Sequence, residues 1–237
     1  MKNFLIILFI VVIIFLIVST YTPVKYNDEV ISDSPKIVVL GSSTAFGTGP
    51  SHPDSAWVNR FRAYAQSIWE NSEVINLAKG GYVTYQILPN DYEPSNERPL
   101  PDPERNISKA LTFNPTAIII NLPSNDAASG YSVKEQLANY DIIMTITKKN
   151  EIPTWVATTQ PRNLSNEGRQ NLMEMRDSTF TKFENAIDFW NGLAEENGNI
   201  KPEYNSGDNV HLNDAAHKIL FERAVLVGAG LPSTKLK

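Results

Sequence analysis

Short runs of β-branched and apolar residues recur along this chain, each followed by a polar cluster and then by an amphipathic stretch. That alternation constrains the fold more than any other feature. "KIVVLG" (Lys36–Gly41) is apolar after its first residue, as in a strand covered on both faces. Similar runs stand at residues 73–78 ("EVINLA"), 116–122 ("TAIIINL") and 154–159 ("TWVATT"), with a shorter one at 186–189 ("AIDF"). Between them the apolar spacing changes to three or four. Val58, Phe61, Ala65 and Ile68 share a face across residues 56–70. Val133, Leu137, Tyr140 and Ile143 do so across 132–150, where Ser132 and Glu135 form a capping-box pattern. Helices are also predicted over residues 103–113, 166–183 and 213–228, the last ending on Gly228. Strand and helix alternating in this way predict an α/β fold, a parallel sheet of about five strands with helices on both faces.

The chain has 237 residues, enough for one domain with a substantial core and with no internal repeat. Hydrophobic residues make up 42% and charged residues 20%, a globular composition. The net charge of −5 and the lack of any basic block beyond Lys148-Lys149 argue against nucleic acid as a partner. There is no cysteine, which excludes disulfides, thiol catalysis and Cys-ligated zinc.

The N-terminal segment is of another kind. Lys2 precedes "FLIILFIVVIIFLIV", residues 4–18, which contains no polar residue. This matches the charged and apolar regions of a secretory signal, and with residues 19–21 it approaches the length of a membrane span. Residues 1–21 are therefore expected to be a signal peptide or an N-terminal membrane anchor tethering the protein through residues 4–21. Residues 22–34 read as a polar linker and residues 35–232 as the folded domain. The expected location is outside the cytoplasm: periplasmic, secreted, or tethered to the outer face of a membrane.

In a parallel α/β sheet, ligands bind beyond the C-terminal ends of the strands. Polar clusters stand at those positions. Gly41-Ser42-Ser43 follows the first run, Lys79-Gly80-Gly81 the second and Ser124-Asn125-Asp126 the third, and Asp208-x-x-His211 precedes the last helix. Acyl transfer to a serine needs a base to take the hydroxyl proton, a carboxylate to orient that base and donors for the oxyanion. Of the three histidines, His52, His211 and His217, only His211 has a carboxylate, Asp208, at Asp-x-x-His spacing. His52 sits in a polar loop and is expected to be exposed. His217 falls on a different helical face from His211 and is expected to be structural. The Gly81 N–H, the Asn125 side chain and the N–H of the serine are candidate oxyanion donors. Residues 89–103, rich in proline, read as an irregular loop at the entrance.

These blocks resemble those of the SGNH hydrolases, the GDSL-type esterase/lipase family. "GSSTAFG" is similar to the family's Gly-Asp-Ser-x-x-x-Gly, with Gly41, Ser43 and Gly47 matching and Ser42 in place of the aspartate. "NLAKGGYVT" carries the oxyanion-hole glycine at Gly81. "PSND" matches at Asn125 and Asp126, with Pro123 in place of glycine, and "DNVH" supplies Asp208 and His211. The resemblance implies a flavodoxin-like three-layer α/β/α sandwich without metal or organic cofactor. It implies Ser43 as nucleophile, His211 as base, Asp208 as its orienting carboxylate, and an oxyanion hole of Ser43 and Gly81 N–H groups with the Asn125 amide. Pro123 is expected to alter loop geometry without removing the Asn125 side chain from the site. The implied reaction is hydrolysis of carboxylic esters, such as acetyl esters of carbohydrates. The alternatives are O-acyl transfer to an envelope glycan, a lysophospholipase- or thioesterase-like activity on lipids, and a non-catalytic binding domain.

Overall fold

The computed structural model describes residues 34–232 except Asn96 and Pro123. The expected signal or anchor, the expected linker up to Asp33 and the expected effect of Pro123 thus lie outside the described residues. No helix among those described is long and apolar enough to cross a membrane.

Five parallel strands form one sheet: β1 (Lys36–Gly41), β2 (Glu73–Asn76), β3 (Ala117–Asn121), β4 (Thr154–Ala157) and β5 (Ala186–Ile187), in the order β2-β1-β3-β4-β5. The connecting helices are α1 (Ser43–Phe46), α2 (Trp57–Ile68), α3 (Ile107–Leu111), α4 (Asn125–Ala128), α5 (Val133–Lys149), α6 (Asn166–Lys182) and α7 (Asp214–Leu226). The continuous apolar runs are explained by burial on both faces. Ile37, Val39 and Ile119 pack with Trp57 and Phe61 of α2 and Leu220 of α7, whereas Val38, Leu40, Ile118 and Ile120 pack with Ile107 of α3, Tyr140 and Ile143 of α5 and Met175 of α6. A fully buried side chain of this kind contributes about 1.5–3 kcal/mol of transfer free energy. The result is the expected three-layer α/β/α sandwich with two cores separated by the sheet.

Two local readings are adjusted. The helix expected over 103–113 is shortened to α3, because the Asn106 side chain caps it by accepting from Lys109 N at 3.0 Å. The capping box at α5 is half-formed. Ser132 Oγ accepts from Glu135 N, but the Glu135 carboxylate turns away to Arg98 and Tyr85. That choice pins the proline-rich segment: Arg98 stacks over the Tyr131 ring at 4.1 Å while paired with Glu135. Gly41 is required for close packing at the end of β1. A Cβ there would lie 2.7 Å from both Ala45 Cβ and Asn121 O.

Strand order reverses between the central strand β3 and its neighbour β1. Gly41 is paired with Asn121 at their C-terminal ends. Both lead directly into the polar clusters, α1 on one side and α4 on the other, so the topology itself opens a crevice there.

Candidate active site

Ser43 is the first residue of α1, two positions beyond the end of β1, and is half-buried. Ser42 is wholly buried. Its N–H is held by Asn121 O at 3.1 Å, and its hydroxyl has no partner among the described residues. Of the two serines, only Ser43 is accessible. The segment after β2 passes directly over it: a Cβ added to Gly80 would come within 4.0 Å of Ser43 Cβ. Gly81 turns the chain with φ +84°, a conformation that side-chain-bearing residues avoid, in otherwise open space.

His211 and Asp208 meet as their spacing predicts. His211 Nδ1 lies 2.6 Å from Asp208 Oδ2, while Asp208 Oδ1 accepts from His211 N at 2.8 Å and Val210 N at 2.9 Å. The carboxylate therefore fixes the backbone turn with one oxygen and the ring with the other. This pairing places the imidazole proton on Nδ1 and leaves Nε2 as the acceptor. Burial disfavours the charge on Asp208, but the hydrogen bonds from the His211 ring and the two backbone N–H groups outweigh it, so the carboxyl lies well below the usual carboxylate range. No hydrogen bond joins Ser43 Oγ to the His211 ring among the described residues. Such contacts are often long before substrate binds and tighten in the reacting complex.

The segments bearing Ser43 and His211 are nevertheless clamped together. Gly49 lies against the histidine turn so closely that a Cβ there would be 2.2 Å from Leu212 O and 3.0 Å from His211 Cβ. Ser51 N donates to Asp214 Oδ1 at 2.9 Å, tying the same loop to the start of α7. Gln160, buried, bridges the two segments: Thr44 Oγ1 donates to its Oε1 at 2.5 Å, and its Nε2 donates to Val210 O at 3.3 Å. One side chain thus touches the neighbour of Ser43 and the neighbour of His211.

Asn125 opens α4 on the other side of the crevice. Its Nδ2 donates to Tyr82 O at 2.9 Å and its Oδ1 accepts from Arg162 Nη1 at 3.1 Å. Asp126, beside it, faces inward. Its carboxylate takes Thr84 N at 3.0 Å and Thr84 Oγ1 at 2.6 Å, and Asn139 Nδ2 donates to the same threonine hydroxyl at 2.8 Å. This buried triangle fastens the Tyr82–Thr84 segment to α4. Burial pushes the Asp126 carboxyl up to about 6, against the pull of the Thr84 donors.

His217 is fully buried, accepting from Trp57 N at 3.1 Å through Nδ1, and His52 is exposed in its loop, both as expected. Gly49, Gln160 and Arg162 were not foreseen. A signal for the last two was present: "TTQPR" directly follows the β4 run, the same strand-end position that marked the other clusters. Gly49 offered none, since its partner is backbone more than 160 positions away.

The sequence matches the GDSL-like Lipase/Acylhydrolase family over residues 39–219. No curated protein matches it. Among solved structures, the fold is similar to a G-D-S-L family protein from Desulfitobacterium hafniense DCB-2, at TM-score 0.63 and 18% identity, covering 81% of this chain and 99% of that one. It is also similar to the psychrotrophic esterase EstA from Pseudoalteromonas sp., at TM-score 0.59 and 15% identity over 81% and 96%. A third likeness is to a two-domain esterase active on acetylated mannans, at TM-score 0.55 and 16% identity, covering 81% of this chain and 48% of that one. On the family match, the chain belongs to the GDSL-like lipase/acylhydrolases, enzymes that hydrolyse ester bonds.

Proposed function

We propose that this protein is a serine esterase that removes short acyl groups, such as acetyl, from carbohydrates, through an acyl-enzyme on Ser43. The observation that carries the reading is the 2.6 Å contact of His211 Nδ1 with Asp208 Oδ2, on a turn clamped against the loop that follows Ser43. His211 Nε2 takes the proton of Ser43 Oγ as the oxygen attacks the ester carbonyl. The N–H groups of Ser43 and Gly81 and the Asn125 amide receive the oxyanion. His211 then returns the proton to the leaving alkoxide, which departs as the alcohol. A water molecule, deprotonated by the same nitrogen, attacks the acyl-enzyme, and His211 returns that proton to Ser43 Oγ as it is expelled, releasing the carboxylic acid and restoring the free enzyme. A carbohydrate alcohol is supported by the polar side chains gathered at the strand ends, with Arg162 on Asn125 and Asp208 on His211, and by the fold's likeness to an esterase active on acetylated mannans. Export or a membrane tether is part of the same reading, supported by the apolar run at residues 4–18.

The central test is Ser43→Ala on p-nitrophenyl acetate together with labelling by a fluorophosphonate. Loss of hydrolysis and of label at Ser43 is expected, and full activity in the variant overturns the mechanism. Acetyl, butyryl and longer esters, with acetylated polysaccharide beside them, then assign the acyl and alcohol parts. Preference for long acyl chains would favour a lipid substrate. Diversion of the acyl group from water to an added sugar would favour transfer.

A further inference from the structure

Among the described residues, Arg162 is the one cation hydrogen-bonded to a proposed oxyanion donor, and the proposed mechanism leaves it without a role. It stands just beyond β4, half-buried, with Nη1 on Asn125 Oδ1 at 3.1 Å and its Nε buried without a partner among the described residues. It also lies within electrostatic reach of Asp208.

Asn125 must present an N–H to the oxyanion, but its amide could in principle turn either way. One of its two N–H bonds is committed to Tyr82 O at 2.9 Å, which leaves the other for the substrate. If the amide flipped, Oδ1 would face the Tyr82 carbonyl, acceptor against acceptor, and the NH2 would face a guanidinium. A guanidinium has five donors and no acceptor, so that contact is repulsive in every tautomer. A backbone carbonyl on one side and Arg162 on the other thus permit a single orientation. The positive charge against Oδ1 also polarises the amide and strengthens its N–H as a donor. We propose that Arg162 is a positioning residue that locks the Asn125 amide with its free N–H toward the oxyanion.

This rests on reading Asn125 as an oxyanion donor, and the test separates the two claims. Kinetics on p-nitrophenyl acetate are compared for wild type, R162M, R162K, N125A and the R162M/N125A double variant, with S43A as the blank. R162M is expected to lower kcat by about tenfold or more, part of the roughly 10²–10³-fold that a whole oxyanion donor supplies, while KM changes by less than about twofold. R162K restores part of kcat, since an ammonium still donates to Oδ1. In the N125A background R162M adds almost nothing, because a group that acts only through Asn125 is silent once Asn125 is gone. Wild-type kcat in R162M, or an equal loss with and without Asn125, overturns the role. A second readout does not depend on turnover. The Asn125 side-chain NH2 signals, assigned by their loss in N125A, should shift and broaden in R162M, and an unchanged pair overturns the lock. If S43A hydrolyses the ester as fast as wild type, the hydrolase reading fails and the NH2 signals alone decide the role of Arg162.

Discussion

Ser42 and Ser43 are neighbours in sequence with opposite surroundings. The Ser42 hydroxyl is buried without a partner among the described residues, whereas Ser43 is half-exposed at the C-terminal end of β1. Removing an unsatisfied buried hydroxyl loses no hydrogen bond. Ser42→Ala is therefore expected to keep esterase activity and melting temperature within experimental scatter, while Ser43→Ala abolishes turnover; a melting scan and an ester assay check both. Two glycines divide in the same way. Gly81→Ala meets open space and pays for φ +84° alone, about 1–2 kcal/mol. Gly49→Ala meets the same backbone penalty at φ +112° and also drives a methyl group into Leu212 O. It should melt well below Gly81→Ala and lose kcat, because the carbonyl that must move belongs to the residue after His211. The place of Ser43 at the end of a central strand was legible because it follows an apolar run. The need for glycine at 49 was not, because it arises from backbone contact with a distant turn.

Among the elements, α1 and the histidine turn carry the two groups proposed to react on short pieces of chain that cannot hold their own positions. A helix of four residues has almost no cooperative stability of its own. Its placement comes from contacts outside it, among them Gln160 between Thr44 and Val210 and Asn76 Nδ2 donating to Ala45 O. Gln160→Leu leaves the buried Thr44 hydroxyl without its acceptor, at a cost of about 1–3 kcal/mol. It also frees the two segments to drift, which should lower kcat by about tenfold, since small misplacements of reacting groups are expensive. Adding Thr44→Val removes the orphaned hydroxyl. The double variant is expected to recover most of the melting temperature and little of the kcat, a pattern that separates stability from positioning. The strands and long helices were legible, because apolar period and length define them. The Glu135 carboxylate was misread as a cap because its true partner, Arg98, comes from a loop whose path no local pattern predicts. Gln160 and Arg162 sat at a strand end where the topology alone called for inspection.

For the molecule as a whole, two buried groups on opposite sides of the crevice set opposing slopes of stability with pH. Asp126 is 2% exposed, and burial raises its carboxyl to about 6 from an ordinary 3.8. Between about pH 4 and 6 the folded state holds a proton that the unfolded chain has released, so this group's contribution falls as pH rises. His217 is 0% exposed, and burial lowers its imidazole to about 4 from 6.5. Between about pH 6.5 and 4 the unfolded chain takes up a proton that the folded state refuses, so this contribution falls as pH falls. Each shift of roughly two units is worth on the order of 3 kcal/mol, and over the shared window the two largely cancel. Removing either should expose the other. Asp126→Asn is expected to make the urea midpoint fall between pH 6.5 and 4.5 more steeply than in wild type. His217→Asn, whose side-chain oxygen can still accept from Trp57 N, should make the midpoint rise relative to wild type over the same interval. Comparing each variant's slope with that of wild type removes the common titration of the surface carboxylates. Parallel slopes in all three proteins would show that neither group titrates differently on folding. Opposite departures would show that the supports behind the oxyanion side and the histidine side of the crevice are balanced against each other near pH 5.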